Sequence, residues 1–242
     1  MLKNNTGNKI PSINFRIQQN HQWADLSTDE IFNNKTIVVF ALPGAYTPTC
    51  SSSHLPRYNE LAPVLKANGV DEIVCVSVND TFVMNEWGKD QEAENVLMIP
   101  DGNGEFTEAM GMLVSKNNLG FGDRSWRYSM LVKDGVIEKM FIEPEVEGDP
   151  FEVSDADTML EYINQDAKVP ETATMFSRKG CPHCERALDL LKKKDIYVEQ
   201  VELGKSITSR SLRAVSGQST TPQIFIGGNY IGGADELEKY LK

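Results

Sequence analysis

Cysteine is scarce in this sequence of 242 residues, and long apolar stretches are missing from it. The cysteines are Cys50, Cys75, Cys181 and Cys184. They are too few to staple a small secreted scaffold with disulfides, and they suit a redox protein of the cytosol. No apolar run approaches the roughly 18 residues that a membrane-spanning helix needs, and the beginning of the sequence lacks the apolar core of a secretory signal. We therefore expect a cytoplasmic protein without a membrane segment.

Positive charge is also in deficit. Lysine and arginine number 24 against 35 aspartates and glutamates, so the net charge is −11 and the pI is near 4.8. Such a chain is a poor general partner for nucleic acid or an anionic membrane. Residues 1–170 carry a net charge of −13, whereas residues 171–242 carry +2, and a polar stretch ending in Pro170 separates them. We predict a first domain at 1–165, a linker at 166–171 and a second domain at 172–242.

Short apolar segments alternate with helical patterns in the first domain. Residues 36–42 and 73–78 are continuous apolar runs, typical of strands buried on both faces, and Asp134-Gly135 is a strong hairpin signal. A helix is expected from about residue 50 to 67, with irregular first turns because prolines interrupt it. Strands alternating with helices indicate an α/β fold.

Cys50 lies where the first apolar strand is followed by this helix. The N–H groups at a helix N-terminus stabilise a thiolate, which is the reactive form of cysteine. Thr47 can direct its hydroxyl to the same place, and Arg127, just before a later strand, can supply a cation. These three groups suit attack on a peroxide, which leaves a sulfenic acid on the cysteine. From the spacing alone, the alternative is that Cys50 is a small buried packing residue.

Two longer motifs surround Cys50 and Arg127. The first is Pro43-Gly44-Ala45-Tyr46-Thr47-Pro48-Thr49-Cys50, followed by His54-Leu55-Pro56, and the second is Arg127-Tyr128-Ser129-Met130, followed by Lys133-Asp134-Gly135. Both resemble motifs of the peroxiredoxins, specifically of the Prx5-like branch, and the similarity extends over about residues 10–160. The resemblance implies a thioredoxin-like fold, reduction of hydrogen peroxide and alkyl hydroperoxides, and dimers that pack near the active site.

The same resemblance implies roles for individual residues. Cys50 corresponds to the peroxidatic cysteine, Thr47 to the hydroxyl donor, Pro43 to a wall of the pocket and Arg127 to the cation that stabilises the thiolate. His54 matches a residue of the family loop, and the alternative for it is a residue on the outward face of the helix.

A second, resolving cysteine is missing from the first domain. Some members of the branch hold one in the C-terminal stretch, but residues 149–156 contain none. Cys75 lies in mid-strand between Val74 and Val76, which favours a structural role. We interpret this domain as a one-cysteine enzyme that needs an external thiol.

Cys181 and Cys184 form a Cys-x-x-Cys pair at the predicted start of a helix, since Pro182 suits a first helical turn. The first thiol is exposed and acidified there, with help from Arg178, and the second is shielded and can displace a partner from the first. Structural zinc would need four ligands, and this region offers no second Cys/His pair, so we predict no metal site.

The second domain carries three motifs that resemble the glutaredoxins over about residues 171–242. They are Cys181-Pro182-His183-Cys184, Thr220-Thr221-Pro222-Gln223-Ile224-Phe225-Ile226 and Ile231-Gly232-Gly233-Ala234-Asp235. By this resemblance Cys181 is the nucleophile, whereas Cys184 is dispensable if each exchange uses one thiol only. We expect two domains with the thioredoxin-like fold in tandem, each a mixed sheet flanked by helices. The usual tyrosine between the cysteines is replaced by His183.

The glutaredoxin resemblance also implies a glutathione site. The Thr221–Pro222 bond is expected to be cis, with the Thr221 backbone facing glutathione. Asp235, next to Ala234, is expected to bind the glutamyl ammonium, and Arg178 a glycine carboxylate. We expect glutathione as a co-substrate and no permanently bound cofactor.

Together the two domains predict a glutathione-dependent peroxidase. Peroxide oxidises Cys50, glutathione condenses with the sulfenic acid, Cys181 removes the glutathionyl group, and a second glutathione regenerates Cys181. We expect a homo-oligomer, a dimer or a tetramer, in which one subunit's second domain can serve another's first. Two alternatives are a peroxide sensor that relays oxidation to a client protein, and a disulfide or dehydroascorbate reductase whose first domain only docks it to partners.

Overall fold

The computed structural model describes residues 2–19, 22–169, 171–194, 196–204 and 207–242. The chain divides into two compact units, Met1–Ala167 and Lys168–Lys242, and each has a sheet and a hydrophobic core of its own. The tandem α/β architecture is thereby confirmed. The linker at 166–171 stays a prediction, and its Pro170 lies outside the described residues. No helix in the described ranges is long and apolar enough to cross a bilayer.

The first unit is built mainly of strands, with helices between them. Its elements are β1 (Asn14–Gln19), β2 (Gln22–Ser27), α1 (Thr28–Phe32), β3 (Thr36–Ala41), a π-helical turn (Cys50–His54), α2 (Leu55–Ala67), β4 (Glu72–Ser77), α3 (Thr81–Asp90), β5 (Leu97–Pro100), α4 (Glu105–Ala109), β6 (Leu113–Ser115), a 3-10 turn (Asn117–Leu119), β7 (Asp123–Ser125), β8 (Tyr128–Lys133), β9 (Val136–Ile142) and α5 (Ala156–Ile163). The two buried strands and the hairpin at Asp134-Gly135 are where the sequence predicts them.

The central sheet of this unit has the strand order β5-β4-β3-β8-β9. β3, β4 and β5 are parallel, whereas β8 runs antiparallel to β3 and pairs Tyr128 with Ala41. Because of this pairing, the start of β8 lies at the same edge as the carboxyl end of β3. Arg127, one residue before β8, therefore comes next to the loop that carries Cys50.

Both faces of this sheet are covered, which explains the continuous apolar run of β3. Side chains alternate between faces along a strand, so Val38 and Phe40 pack into the core beneath α2 and α5, and Val39 and Ala41 into the core on the other side. A strand buried on both faces must be apolar throughout.

The second unit is smaller and also mixed. Its elements are β10 (Thr172–Ser177), α6 (Pro182–Lys192), β11 (Tyr197–Glu202), α7 (Ser209–Ser216), β12 (Gln223–Ile226), β13 (Asn229–Gly232) and α8 (Ala234–Tyr240). The strand order is β11-β10-β12-β13, with β10 and β11 parallel and β12 antiparallel to β10. β12 pairs Gln223 with Phe176, so the residues before β12 lie at the edge where β10 leads to α6.

Candidate active site

Cys50 is the first residue of the π-helical turn and is fully buried. The Leu55 N–H donates to the Cys50 carbonyl, five residues back, and α2 continues from there. Pro56 stands in the first turn of α2, so the predicted irregular start of this helix is confirmed. Single π-turns inside helices are frequent at functional sites. The indole N–H of Trp87 fixes this one from outside, donating to Ser51 Oγ at 3.0 Å.

The loop between β3 and the π-helical turn is held by hydrogen bonds from its backbone and from a side chain. Pro43 and Gly44 are buried, and the Ala45 N–H donates to Asn79 Oδ1 at 3.0 Å. The Thr47 hydroxyl donates to the Gly44 carbonyl at 2.8 Å. This bond uses the hydroxyl proton of Thr47 and leaves the donation of that proton to a peroxide as a prediction. Pro43 lies where a pocket wall is expected, before the turn that carries Cys50.

Arg127 brings its charge to the buried thiol. Its side chain is 1% exposed, and one terminal nitrogen lies 3.5 Å from Cys50 Sγ and 3.1 Å from His54 Nδ1. The other terminal nitrogen donates to Asp149 Oδ1 at 2.5 Å. A guanidinium is charged at any physiological pH, so a fixed positive charge lies 3.5 Å from the Cys50 sulfur. The structure thus joins Cys50 and Arg127, which are 77 residues apart, as the sequence predicts.

His54 is buried at the same site, so its alternative placement on the outward face of the helix is wrong. Its Nε2 lies 3.2 Å from the Ser154 carbonyl, and its Nδ1 faces Arg127. Arg127 can only donate, so both contacts are satisfied by a neutral ring that carries its proton on Nε2. Burial, and next the charge of Arg127, lower the pKa of His54 to about 3. His54 is therefore a neutral acceptor that supports Arg127.

A segment before α5 completes the site, and sequence reasoning missed it. Residues 149–155, hereafter the strap, bring Asp149 to Arg127 and the Ser154 carbonyl to His54. The buried carboxylate of Glu143 accepts the N–H groups of the strap at positions 152, 153 and 154, at 2.8 to 3.0 Å. Phe151 packs its ring 4.9 Å from that of His54. The only signal in the sequence was the run of carboxylates from Glu143 to Asp149, which as a pattern is typical of a solvated linker.

Cys75 is fully buried in the middle of β4, opposite Phe40. Burial raises the pKa of its thiol well above the usual value, and the nearby Cys50 adds to the rise. A buried neutral thiol is a packing residue, so the structural interpretation of Cys75 is confirmed.

In the second unit, Cys181 and Cys184 form a disulfide at the start of α6. Cys181 is the N-cap residue, and its sulfur accepts the Cys184 N–H at 3.2 Å. Cys184 is buried, whereas Cys181 is partly exposed. The Thr221–Pro222 bond is cis, as expected, and the carbonyl oxygen and hydroxyl of Thr221 each lie 3.7 Å from Cys181 Sγ. The nucleophile predicted from the sequence is thus at the solvent-facing end of the pair.

An open groove of about 560 Å³ lies beside this disulfide. The predicted residues Thr221, Pro222, Ala234 and Asp235 line it, together with His183, Arg186 and Tyr230. Arg186, which sequence reasoning missed, forms an ion pair with Asp235. The hydrogen bond from Arg186, with its charge, lowers the pKa of Asp235. The groove therefore offers a carboxylate and a guanidinium side by side at its rim.

Arg178 does not contribute to the lining of this groove. Its guanidinium donates to Ser209 Oγ at 2.5 Å, at the start of α7, and its side chain is exposed. Its predicted contact with a glycine carboxylate stays a prediction.

Known proteins resemble both units. The Redoxin family matches residues 5–160 and the Glutaredoxin family matches residues 173–231. A hybrid peroxiredoxin, hyPrx5, from Haemophilus influenzae is 62% identical over 97% of this chain and 98% of its own length. Peroxiredoxin sll1621 from Synechocystis is 56% identical over 65% of this chain and 90% of its own length. The crystal structure of reduced Prx3 in complex with H2O2 from Vibrio vulnificus is 41% identical, covers 67% of this chain and 99% of its own, and superposes with a TM-score of 0.62.

Proposed function

We propose, because the chain belongs to the Redoxin family of peroxiredoxins and carries a C-terminal glutaredoxin domain, that it reduces hydrogen peroxide and alkyl hydroperoxides with electrons from glutathione. Membership of the family makes the first unit a thiol peroxidase. The identity of the electron donor, and the recycling of Cys50 through Cys181, form the proposal.

One observation carries the peroxidase chemistry. The guanidinium of Arg127, itself buried, lies 3.5 Å from the buried sulfur of Cys50. In a site that excludes water, a fixed cation stabilises both the thiolate and the negative charge that develops on the leaving oxygen. Because the Arg127 guanidinium is already next to the sulfur, the site does not have to rearrange during the reaction.

The peroxide step transfers one oxygen to the sulfur. The Cys50 thiolate attacks the terminal OH of the peroxide and the O–O bond breaks. The other oxygen takes up one proton, equivalent to the one that the thiol released on ionising, and leaves as water or an alcohol. The sulfur becomes a sulfenic acid. In this proposal Thr47 orients the peroxide and Pro43 closes the pocket beside it.

The sulfenic acid is then reduced by glutathione. The glutathione thiol attacks the Cys50 sulfur, which forms a mixed disulfide and releases water. We assign this step to glutathione because the only other cysteine in the described part of the first unit is Cys75, whose thiol is buried and inert. The Cys181 thiolate attacks the sulfur of the bound glutathione and expels the Cys50 thiolate. A second glutathione attacks glutathionylated Cys181 and leaves as glutathione disulfide, which regenerates the Cys181 thiolate.

The groove of the second unit supports glutathione as this donor. Asp235 can pair with a glutamyl ammonium and Arg186 with a carboxylate, while Thr221 presents its backbone 3.7 Å from Cys181 Sγ. The net charge of +2 over residues 171–242 also favours an anionic substrate.

A coupled assay tests the proposal. NADPH consumption is followed with peroxide, glutathione and glutathione reductase, without any added glutaredoxin. We expect wild-type protein and the control Cys75→Ser to turn over, Cys50→Ser to be inactive, and Cys181→Ser to consume one equivalent of peroxide without recycling. Full turnover by Cys181→Ser would remove the second unit from the cycle, and peroxide-dependent NADPH consumption that persists in Cys50→Ser would remove Cys50 from it.

A further inference from the structure

We infer that Asp149 is a positioning residue, which holds the Arg127 guanidinium on Cys50 and fastens the strap over the buried thiol. The inference rests on the proposed function and extends it. Asp149 lies outside both motifs that surround Cys50 and Arg127. We expect it to favour the peroxide step and to hinder the glutathione step.

The guanidinium of Arg127 forms hydrogen bonds through its two terminal nitrogens, and its central carbon lies 5.5 Å from the centroid of the Phe151 ring in the strap. One terminal nitrogen contacts Cys50 and His54, and the other donates to Asp149. The third nitrogen, Nε, is buried and has no hydrogen-bond partner among the described residues. Without Asp149, only the ring of Phe151, which belongs to the strap itself, would limit rotation of the guanidinium about its contact with His54, so its direction toward Cys50 would be less well defined.

The strap itself is fastened very differently at its two ends. Near Ser154, the buried Glu143 accepts three backbone N–H groups and the Ser154 hydroxyl, and Tyr58 donates to the Ser154 carbonyl at 3.0 Å. At the other end the side chain of Asp149 is 42% exposed, and its ion pair with Arg127 is the contact that joins it to the site. An ion pair open to solvent on one side breaks at lower cost than a buried network. The strap would therefore open at Asp149.

The two steps place opposite demands on this contact. Cys50 is fully buried, so any reactant needs an opening to reach it. Hydrogen peroxide needs only a narrow one, whereas glutathione must bring a much larger molecule to the same sulfur. That step forms the disulfide between Cys50 and glutathione and releases the sulfenic oxygen as water. A fastened strap helps the first step by orienting Arg127 and hinders the second by covering the sulfur.

Asp149 contributes a charge as well as a hydrogen-bond acceptor, and two variants separate them. Asp149→Asn keeps an acceptor for Arg127 but removes the negative charge, which in the wild type partly offsets the Arg127 charge acting on the thiolate. Asp149→Ala removes both. The matched control is Glu152→Ala, which removes a strap carboxylate that is exposed and makes no described side-chain contact.

The experiment measures the two steps separately in the full chain carrying Cys181→Ser and Cys184→Ser, so that Cys50 is not reduced by the second unit. Oxidation of Cys50 by hydrogen peroxide without glutathione, and glutathionylation of the sulfenic acid by added glutathione, are followed by rapid quenching and mass spectrometry of the Cys50 peptide. We expect Asp149→Ala to slow the oxidation of Cys50 by about tenfold, since a charge-assisted hydrogen bond is lost, and to speed the glutathionylation several-fold. In Asp149→Asn, Cys50 should be oxidised at least as fast as in the wild type. Glu152→Ala should change neither rate.

A merely structural role would slow both steps together, and that result would overturn the inference. Unchanged rates in Asp149→Ala, or equal effects of Glu152→Ala, would do the same. The peroxide step contains no glutathione, so it tests Asp149 independently of the proposed electron donor. A wild-type sulfenic acid that glutathione does not modify would instead refute the proposed donor, together with the strap's influence on it.

Discussion

The two cysteines to which we assign the chemistry, Cys50 and Cys181, occupy equivalent positions in the sheets of the two units, but their surroundings differ. Each follows the carboxyl end of a central strand, β3 or β10, and each faces the residues just before an antiparallel neighbour, β8 or β12. In the first unit that facing position holds the buried cation Arg127; in the second it holds Thr221–Pro222 beside an open groove. One topology therefore provides two sites, and the facing residue helps determine the chemistry of each.

The difference in burial matches the size of the reactant that we propose for each cysteine. Cys50 is fully buried and stands without a cysteine partner, which suits a small peroxide and a transition state whose charge needs a fixed donor. Cys181 is partly exposed and paired with Cys184, which suits exchange with a thiol brought by a larger molecule. Substitutions that affect one site alone would test whether the peroxide step belongs to the first unit and the thiol exchange to the second.

The largest effect is expected from Arg127→Met. The substitution removes the cation beside Cys50, so the second-order rate of Cys50 oxidation by hydrogen peroxide should fall by roughly 10²–10³-fold. Quenched reactions analysed by mass spectrometry give this rate. The same variant should still reduce a glutathionylated peptide at the wild-type rate through Cys181.

Arg57→Met is the matched control, because it removes an arginine that pairs with Asp157 on the surface of the same unit. A loss of less than about threefold in Arg127→Met would mean that the buried guanidinium is not needed for the peroxide step. Loss of both activities would point to a folding defect rather than to a defect at the site.

The sequence predicts this contrast only where its signals are local. Cys50, Thr47 and Arg127 stand in short motifs beside strands with clear apolar patterns, so the topology that joins them could be inferred. His54 precedes Tyr58 of the core by four residues, a spacing that places both on one helix face, and this signal indicates its burial. In the second unit the predicted roles of Thr221 and Asp235 rest on the resemblance of their motifs to the glutaredoxins, and only the place of Cys181 at a helix start could be inferred from local signals.

The remaining contacts are tertiary, and no local pattern indicates them. Glu143 and Asp149 lie in an acidic run that is typical of solvent-exposed chain, and only the folded path of the strap makes one of them buried and brings the other to Arg127. Arg186 lies on α6 and Asp235 on α8, so their pairing depends on how these helices pack.

The second-largest effect is expected in the pH dependence of the free energy of unfolding. His54 of the first site is the residue tested, and His183 of the second site is its control. His54 has a pKa of about 3 in the folded chain, and an ordinary value near 6.5 applies when the chain is unfolded. Below about pH 6.5 the unfolded chain therefore takes up a proton that the folded chain does not. The free energy of unfolding of the first unit should decrease as the pH falls toward about 3, by up to about 1.4 kcal/mol per pH unit from this group.

Urea unfolding measures this slope. The tryptophans Trp23, Trp87 and Trp126 all belong to the first unit, so their fluorescence reports on that unit alone. His54→Gln should flatten the slope between about pH 7 and about pH 5, whereas His183→Gln, which changes a residue of the second unit, should leave it as in the wild type. An identical slope in His54→Gln would show that the buried ring does not titrate as described.

A smaller effect is expected at the groove. Asp235→Asn removes the carboxylate proposed to bind the glutamyl ammonium, so the KM for glutathione should rise by about tenfold while the peroxide step keeps its rate. The assay is reduction of a glutathionylated peptide at varied glutathione. Glu238→Gln is the control, because Glu238 also approaches Arg186 from α8 but does not line the groove. Equal effects of the two variants would indicate that Asp235 acts only through Arg186.

The smallest effect is expected from Cys184→Ser, and it bears on why the second site has two cysteines. If glutathione both forms and resolves the mixed disulfide, each exchange needs Cys181 alone, so peroxide turnover with glutathione should stay within about twofold of the wild type. Cys184 is buried behind Cys181, in a position to attack a mixed disulfide and form the disulfide seen in the structure, a reaction that competes with the second glutathione. Coupled NADPH consumption measures the change. A loss of tenfold or more would mean that the pair, and not Cys181 alone, passes electrons to Cys50.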